Sequence, residues 1–322
     1  MSSAHLDTPA VETLRPPRRG RRSSPQRRSD TRAALLFISP WIIGFLVFTL
    51  WPVLYSAYLS FTDYDVINAP TYVGFDNYRQ MFDDPKVSLS LRNTFVFTVM
   101  SVPAKVVVSV LLALLLKQAS RATGFFRTAF FLPHMTPPVA IGVLILMLFN
   151  GQQGLINEFL GVFGINGPAW TTDPHWVKPG LVLMNVWTVG STIIIFLAAL
   201  NDVPQELYDS AMVDGASAWQ RFWRITLPMI SPSLFFVIII NTIAGLQSFT
   251  EAYSAFFGSG NTTYSNDAAL FYGIYLFQQA FQFLHMGYAS ALAWLMFVII
   301  MIVTAIQFWG SKKLVYYEGE NR

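Results

Sequence analysis

Cysteine is absent from this 322-residue chain. Neither a disulfide framework nor thiolate chemistry is open to it, and nothing marks its redox compartment. Charge is scarce: 12% of residues are charged, about half the share of an ordinary soluble domain. Histidine occurs at 5, 134, 175 and 285 and never as an i, i+4 pair, so no HExxH zinc site exists and no metal is expected. There is no Gly-x-Ser-x-Gly nucleophile elbow. None of the lysines follows a glycine, which removes the P-loop. No cofactor is therefore expected on this chain itself. What fills the composition is apolar: 53% of residues are hydrophobic and 16% aromatic, with a mean hydropathy of +0.45. That excludes a disordered chain and a nucleic-acid binder built on a basic face, and it points to lipid as the solvent.

Basic charge is also missing from most of the chain. Of 21 Lys and Arg, eight are arginines within residues 1–32; of 18 Asp and Glu, three lie there, so the other 290 residues carry 13 basic against 15 acidic groups. The net charge of +3 belongs to one tail. With Pro and Ser and no apolar period, residues 1–32 read as disordered, and as a topology anchor more than an anionic-lipid patch.

A bilayer core about 30 Å thick takes about 20 apolar residues in a helix. Six such runs are present: roughly 34–60, 93–116, 128–149, 179–201, 233–253 and 287–309. The segment 268–284 is apolar but carries Gln278, Gln279 and Gln282, and could be a seventh span or a helix lying in the interface. Lys and Arg decide it. Six spans put 16 basic residues on the amino-terminal side and four on the other, with Lys105 inside the second span; this is a strong positive-inside bias. The expected fold is all-α and polytopic, with both termini cytoplasmic in a bacterial cell membrane. A 33–310 membrane domain lies between the tail and a short 311–322 end. Pro40, Pro52, Pro103, Pro133, Pro137 and Pro138 punctuate the spans, which favours a conduit over an anchor. Lys105 has no carboxylate that the sequence can name for it, and reads as a lysine reaching along its helix to a watery seam or a carbonyl.

The loop between spans four and five, 201–232, carries the most local information. Asp202 with Gln205, and Ser217 with Gln220, are spaced as capping boxes. Val203, Leu207 and Ala211 fall on one helical face, away from Gln205, Glu206 and Asp209. Gly215 after Asp214 is placed to stop the first helix. Trp219, Phe222 and Trp223 give the second an apolar stripe, which Pro228 should end. Two short amphipathic helices joined at a glycine turn result. The first, acidic and weakly apolar, is suited to a protein partner; the second could lie on membrane lipid.

This loop resembles the cytoplasmic signature of permease subunits of bacterial ABC importers: Glu-Ala-Ala, three residues, Gly, nine residues, Ile-x-Leu-Pro. Asp209-Ser210-Ala211 stands at the triplet, Gly215 at the Gly, and Ile225-Thr226-Leu227-Pro228 at the close. Asp209 and Ser210 depart from the pattern. The remainder of 33–310 resembles the carbohydrate branch: Trp51-Pro52, Val73-Gly74-Phe75-Asp76-Asn77-Tyr78, Asn93-Thr94, Phe125-Phe126-Arg127 and Gly154-Leu155-Ile156-Asn157 all match. Ser259-Gly260-Asn261 replaces the usual Gly-Gly-Pro. The resemblance implies a non-catalytic transmembrane subunit for sugar or polyol uptake. It would work with a second permease, two ATP-binding subunits that use the ATP, and an extracytoplasmic solute-binding protein, without nucleic acid. It gives the ATPase-coupling role to Glu206, Leu207, Asp209, Ser210, Ala211, Asp214, Gly215, Ala216, Leu227 and Pro228. An ATP-independent secondary transporter or channel is the alternative; it predicts inverted repeats and carboxylates inside spans, and the one acidic residue near a span, Glu251, sits at an end. A membrane enzyme lacks a catalytic set.

A sugar path needs amides, carboxyls and aromatic faces in a cleft. On a wheel of about 100° per residue, Asn241, Gly245, Ser248, Ala252 and Glu251 share one side of span five, while Ile243, Leu246, Phe249 and Tyr253 take the other. Asn185, Thr188 and Thr192 form a stripe on span four. Asn185, Thr188, Asn241, Ser248 and Glu251 are the expected path residues, with Glu251 near the outer mouth.

Overall fold

The computed structural model describes residues 25–118, 123–258 and 266–314. Most of the Arg-rich tail and the Ser259-Gly260-Asn261 substitution lie outside them. By internal contacts the chain divides into a unit ending at Tyr55 and a second running from Ser56.

The described part of the first unit is helical, and its last helix runs on past Tyr55. α1 (Pro25–Phe45) passes through a π-turn, Leu46–Leu50, into α2 (Trp51–Leu59). The segment expected to be disordered therefore gives way at Pro25. Proline's fixed φ suits the first position of a helix, and arginine and glutamine propagate one well.

In the second unit a short hairpin, β1 (Thr62–Asp63) with β2 (Thr71–Tyr72), leads to α3 (Asp76–Asp83) and the long α4 (Pro85–Gln118). α5 (Thr123–Phe131) and α6 (Pro138–Leu148) follow, then α7 (Leu155–Val162), α8 (Pro174–Trp187) and α9 (Gly190–Asn201). The loop helices are α10 (Gln205–Val213), α11 (Ala218–Arg221) and α12 (Leu227–Met229), the last two joined by a π-turn. α13 (Ser231–Leu246), α14 (Thr250–Phe256), α15 (Asn266–Ala269), α16 (Tyr272–Phe277) and α17 (Met286–Leu314) complete the unit. α17 runs past residue 311, so the expected carboxy-terminal tail begins as helix.

Four helical stretches are each long and apolar enough to cross a bilayer: Ala34–Leu59, Pro85–Gln118, Ser231–Phe256 and Met286–Ser311. The expected six is reached only if each of two bent pairs is one crossing. Gly124–Met135 and Pro138–Leu148 meet at 96°, and Pro174–Trp187 and Gly190–Asn201 at 52°. The first bend follows from Pro133, Pro137 and Pro138, which withhold backbone donors, and from the extended backbone that Pro137 and Pro138 impose on Thr136 and Pro137 before them. Large apolar side chains face outward along α4 and α17, among them Leu111, Leu115, Met301 and Ile306, as a lipid solvent permits.

The buried apolar residues form two clusters that share α4. One gathers Phe97, Leu181, Phe271, Tyr272 and Leu292. The other gathers Val110, Ala113, Phe196, Leu200, Ile230 and Val237. The segment expected to lie in the interface belongs to the first cluster: Leu270, Phe271, Tyr272 and Ile274 are enclosed by protein. Asn93 and Thr94 hold it there. The Asn93 amide donates to the carbonyls of Asp267 (2.8 Å) and Leu270 (3.0 Å), and the Tyr272 N–H donates to Thr94 Oγ1 (2.9 Å). Asn77 works similarly on the hairpin, donating to the carbonyls of Ser60 (3.0 Å) and Thr62 (2.8 Å). Replacing Asn93 with alanine strands two backbone acceptors. At about 1–3 kcal/mol for each buried group left unpaired, the thermal unfolding midpoint of the detergent-solubilised protein should drop by several degrees. An unchanged midpoint would show that the clamp bears no load.

Candidate functional site

Two regions concentrate the residues singled out by sequence. The first is the 201–232 loop. α10 ends on Gly215 at φ +77°. The Ala216 N–H donates to Ala211 O (2.8 Å) and the Gly215 N–H to Met212 O (3.1 Å), the paired closure that a left-handed glycine allows. Ser217 then caps α11 reciprocally with Gln220: Gln220 N–H to Ser217 Oγ at 3.3 Å, and Ser217 N–H to Gln220 Oε1 at 2.8 Å. The other expected box does not form. Asp202 still continues α9, its N–H donating to Ala198 O, and Pro204 takes the cap position of α10. Gln205 instead donates to Asp209 Oδ1 (3.1 Å), one turn on.

Pro228 does not end the second helix either. The π-turn Phe222–Thr226 lengthens the hydrogen-bond step, with Leu227 N–H bonded to Phe222 O, and the helix continues to Met229. The wider turn makes room for a ring that would otherwise press on the carbonyl four residues back. Trp51-Pro52 follows its own π-turn in the same way.

Glu206, Leu207, Asp209, Ser210, Asp214 and Gly215 are exposed, and so are Met212 and Val213, the latter at 89%. Ala211 and Ala216 are half-buried, as are Leu227 and Pro228, which lie off the exposed face. α10 thus presents a mixed acidic and apolar surface on a fixed base. The base is Tyr208, a residue that sequence reasoning passed over. Its hydroxyl lies 3.0 Å from Thr226 Oγ1, and its ring lies under the Lys117 ammonium, 5.3 Å from the centroid. Lys117 also donates to Leu200 O (2.7 Å), tying α4, α9 and the loop together. The one available signal was that Tyr208 lies three residues before Ala211, on the inner side of the helix.

The second region is a cavity of about 330 Å³ beside the first apolar cluster, whose Phe97 and Ile141 help to line it. α4 contributes Phe97, Ser101 and Lys105 at i, i+4 and i+8; Asn185 and Thr188 come from the end of α8, and Asn241 from α13. Ser248 and Glu251 come from the break beyond α13 and from α14. The five residues expected along a path therefore share one wall. Ser101 Oγ donates to Asn185 Oδ1 (3.0 Å). Asn241 donates its amide to Val237 O (2.9 Å), which leaves its amide oxygen to offer to a ligand.

The continuous wheel drawn for span five does not survive. Residues 247–249 are unwound, with Phe249 at φ −144°, and helix resumes only at Thr250. Phe249, placed on the far side by a rotation of about 100° per residue, consequently lines the same cavity, with Gln247 and Thr250 beside it. Thr192 departs in the opposite sense: the α8–α9 bend carries it into the protein interior, where it is buried. Lys105, for which sequence offered no carboxylate, shares the cavity with Glu251, whose charge reaches it. Glu251 is held deep by close packing, since Gly142 of α6 lies directly against the backbone of α14 at Glu251 and against Ser254. Among the described residues no cluster of His, Asp or Glu is able to hold a metal.

The profile of a family described as binding-protein-dependent transport system inner membrane component matches residues 91–316. "Probable ABC transporter permease protein YesP" of Bacillus subtilis is 40% identical over 296 residues, which cover 91% of this chain and 94% of that one. The lactose transport system permease protein LacF of Rhizobium radiobacter is 32% identical, covering 91% and 98%. A crystal structure of a bacterial ABC transporter involved in the import of the acidic polysaccharide alginate superposes with a TM-score of 0.78. It is 24% identical, covering 91% of this chain and all of that one, and so shares the fold.

Proposed function

This chain belongs to the family of binding-protein-dependent transport system inner membrane components, and from that premise we propose that it forms one side of the membrane path of an ATP-driven saccharide importer. It is a membrane-embedded permease subunit and not the ATP-hydrolysing one. The saccharide class is supported by the lactose transport permease among its relatives. Its partners are a second permease, two ATP-binding subunits and an extracytoplasmic solute-binding protein. The 201–232 loop and both termini lie on the cytoplasmic side, as the basic residues indicate.

α10 is the coupling element. Its outer surface, Glu206, Leu207, Asp209, Ser210 and Asp214, enters the ATPase subunit, with Ala211, Gly215 and Ala216 shaping the turn. Leu227 and Pro228 lead the loop back into the bilayer. Closure of the ATPase pair moves the loop, and the move reaches the spans through Tyr208, Lys117 and the α9 end. A solute biases the cycle only through its different affinities for the inward- and outward-facing states.

The observation that carries the path is convergence: Asn185, Thr188, Asn241, Ser248 and Glu251, from three helices and one break, meet at one polar cavity. Such groups are costly against lipid and settle toward protein or water. The test uses the absence of cysteine. Single cysteines at 241, 248 and 251 should react with a membrane-impermeant thiol reagent, and those at Phe236 and Ile240, both about half exposed on the outer face of α13, should not. Equal reactivity at all five positions would refute the path.

A further inference from the structure

We propose that Lys105 sets the solute class: the cavity is built for a saccharide bearing one acidic group, a carboxylate or sulfonate, whose anion rests against the Lys105 ammonium. The inference depends on the cavity being the solute path and specifies what that path accepts. Lys105 lies 12 residues beyond Asn93, well inside the apolar stretch of α4. An ammonium at that depth is costly unless something accepts from it. Among the described residues no hydrogen bond or ion pair holds it. Glu251 acts on it at a distance, and no ion pair joins the two.

The two charges are laid out unequally. Lys105 faces only the wide chamber, together with Ser101, His134 and Asn241. Glu251 stands at a neck, where it also faces a recess of about 20 Å³ with Thr188 and Ser248. That recess holds about one water, so a solute occupies the chamber. Filling the chamber expels the water that solvates the ammonium, and the solute must bring the acceptor. A hydroxyl can do this, but it leaves the positive charge uncompensated, whereas a carboxylate or sulfonate brings the countercharge and attracts the ammonium more strongly where water is excluded. Turned the other way, the same anion meets the Glu251 carboxylate and is repelled, while sugar hydroxyls donate to Glu251 readily. The acid end is thereby fixed at Lys105 and the hydroxyl end at the neck. Phe97 and Phe249 on the same walls offer apolar faces to the sugar ring.

The assembled importer in membrane vesicles, carrying Ser248→Cys, provides the test. Labelling rates are measured for an anionic (sulfonatoethyl) and a cationic (trimethylammonioethyl) methanethiosulfonate. Because Glu251 also acts at position 248, the readout is the change in ratio: Lys105→Gln should lower the anionic-to-cationic ratio about tenfold, while Lys105→Arg keeps it. Lactobionate, a disaccharide acid with a single carboxylate, should protect the introduced thiol more strongly than neutral lactitol, and that difference should vanish in Lys105→Gln. A ratio unmoved by Lys105→Gln, or equal protection by the two disaccharides, overturns the proposal and leaves the path intact. If the thiol of Ser248→Cys is inert in every background, as is that of Asn241→Cys, the path reading itself fails and this inference falls with it.

Discussion

Replacing Gly215 with valine is expected to reduce solute uptake by the assembled importer more than tenfold. The cause is conformational and not steric, since a side chain at this position would meet nothing within 4 Å. The backbone, however, sits at φ +77°, where a β-branched residue is a poor fit and costs about 1–3 kcal/mol. The chain relieves that strain by giving up the closure through Met212 O and Ala211 O. The end of α10 then loses its fixed angle to the Ser217 cap, and the Tyr208–Thr226 contact, one of those through which α10 acts on the spans, loses its register. Gly215→Asn should retain most of the uptake, because asparagine tolerates the left-handed region. Solute-stimulated ATPase rate and uptake in vesicles, measured on both variants, separate the cases. Wild-type uptake by Gly215→Val would exclude the turn from coupling.

The second large effect is expected at Gly142. A Cβ there would collide with Ser254 Oγ and stand 2.8 Å from Glu251 O. Overpacking of this kind costs about 1–3 kcal/mol even for a few added carbons, and the Glu251 contact is backbone, which has no rotamer to escape into. Gly142→Val should therefore pry α14 from α6, lower the unfolding midpoint and displace Glu251 from the cavity wall, with uptake falling at least as far as for Gly215→Val. Gly142→Ala with Ser254→Gly removes the side-chain clash and leaves the carbonyl contact, so it should recover part of both losses. If the valine variant unfolds normally and transports normally, the α6–α14 approach is looser than the structure describes.

Much of this was legible because the signals are local. Gly215 after Asp214, Ser217 with Gln220, and the apolar runs declare themselves within a few residues. Asn93 was legible as a motif but not as a clamp, since its acceptors lie 174 and 177 residues away. Asp202 misled because a residue can cap only where the preceding helix has ended, and α9 had not. The π-turns before Pro52 and Pro228 leave no compositional mark, for they change a hydrogen-bond step and not a residue preference. The unwound Gln247-Ser248-Phe249 contains neither glycine nor proline, so a straight helix was the natural reading. The wheel still gathered residues that share a wall, because Asn241 lies before the break while Ser248 and Glu251 were polar on any projection.

The division of the apolar core into two clusters along α4 has a mechanical consequence. On α4 the two blocks interleave: Phe97 and Ala104 pack with one, Val102 and Val106 with the other, while Ser101 and Lys105 on the same stretch face the polar cavity. Each block holds itself together by close packing, which resists gradual deformation, whereas the cavity side of this stretch is tied across by the Ser101–Asn185 hydrogen bond, which can be exchanged for water or solute at little net cost. The second unit therefore has the makings of two stiff bodies geared to one rod, with the exchangeable contacts confined to the Ser101–Lys105 side of it.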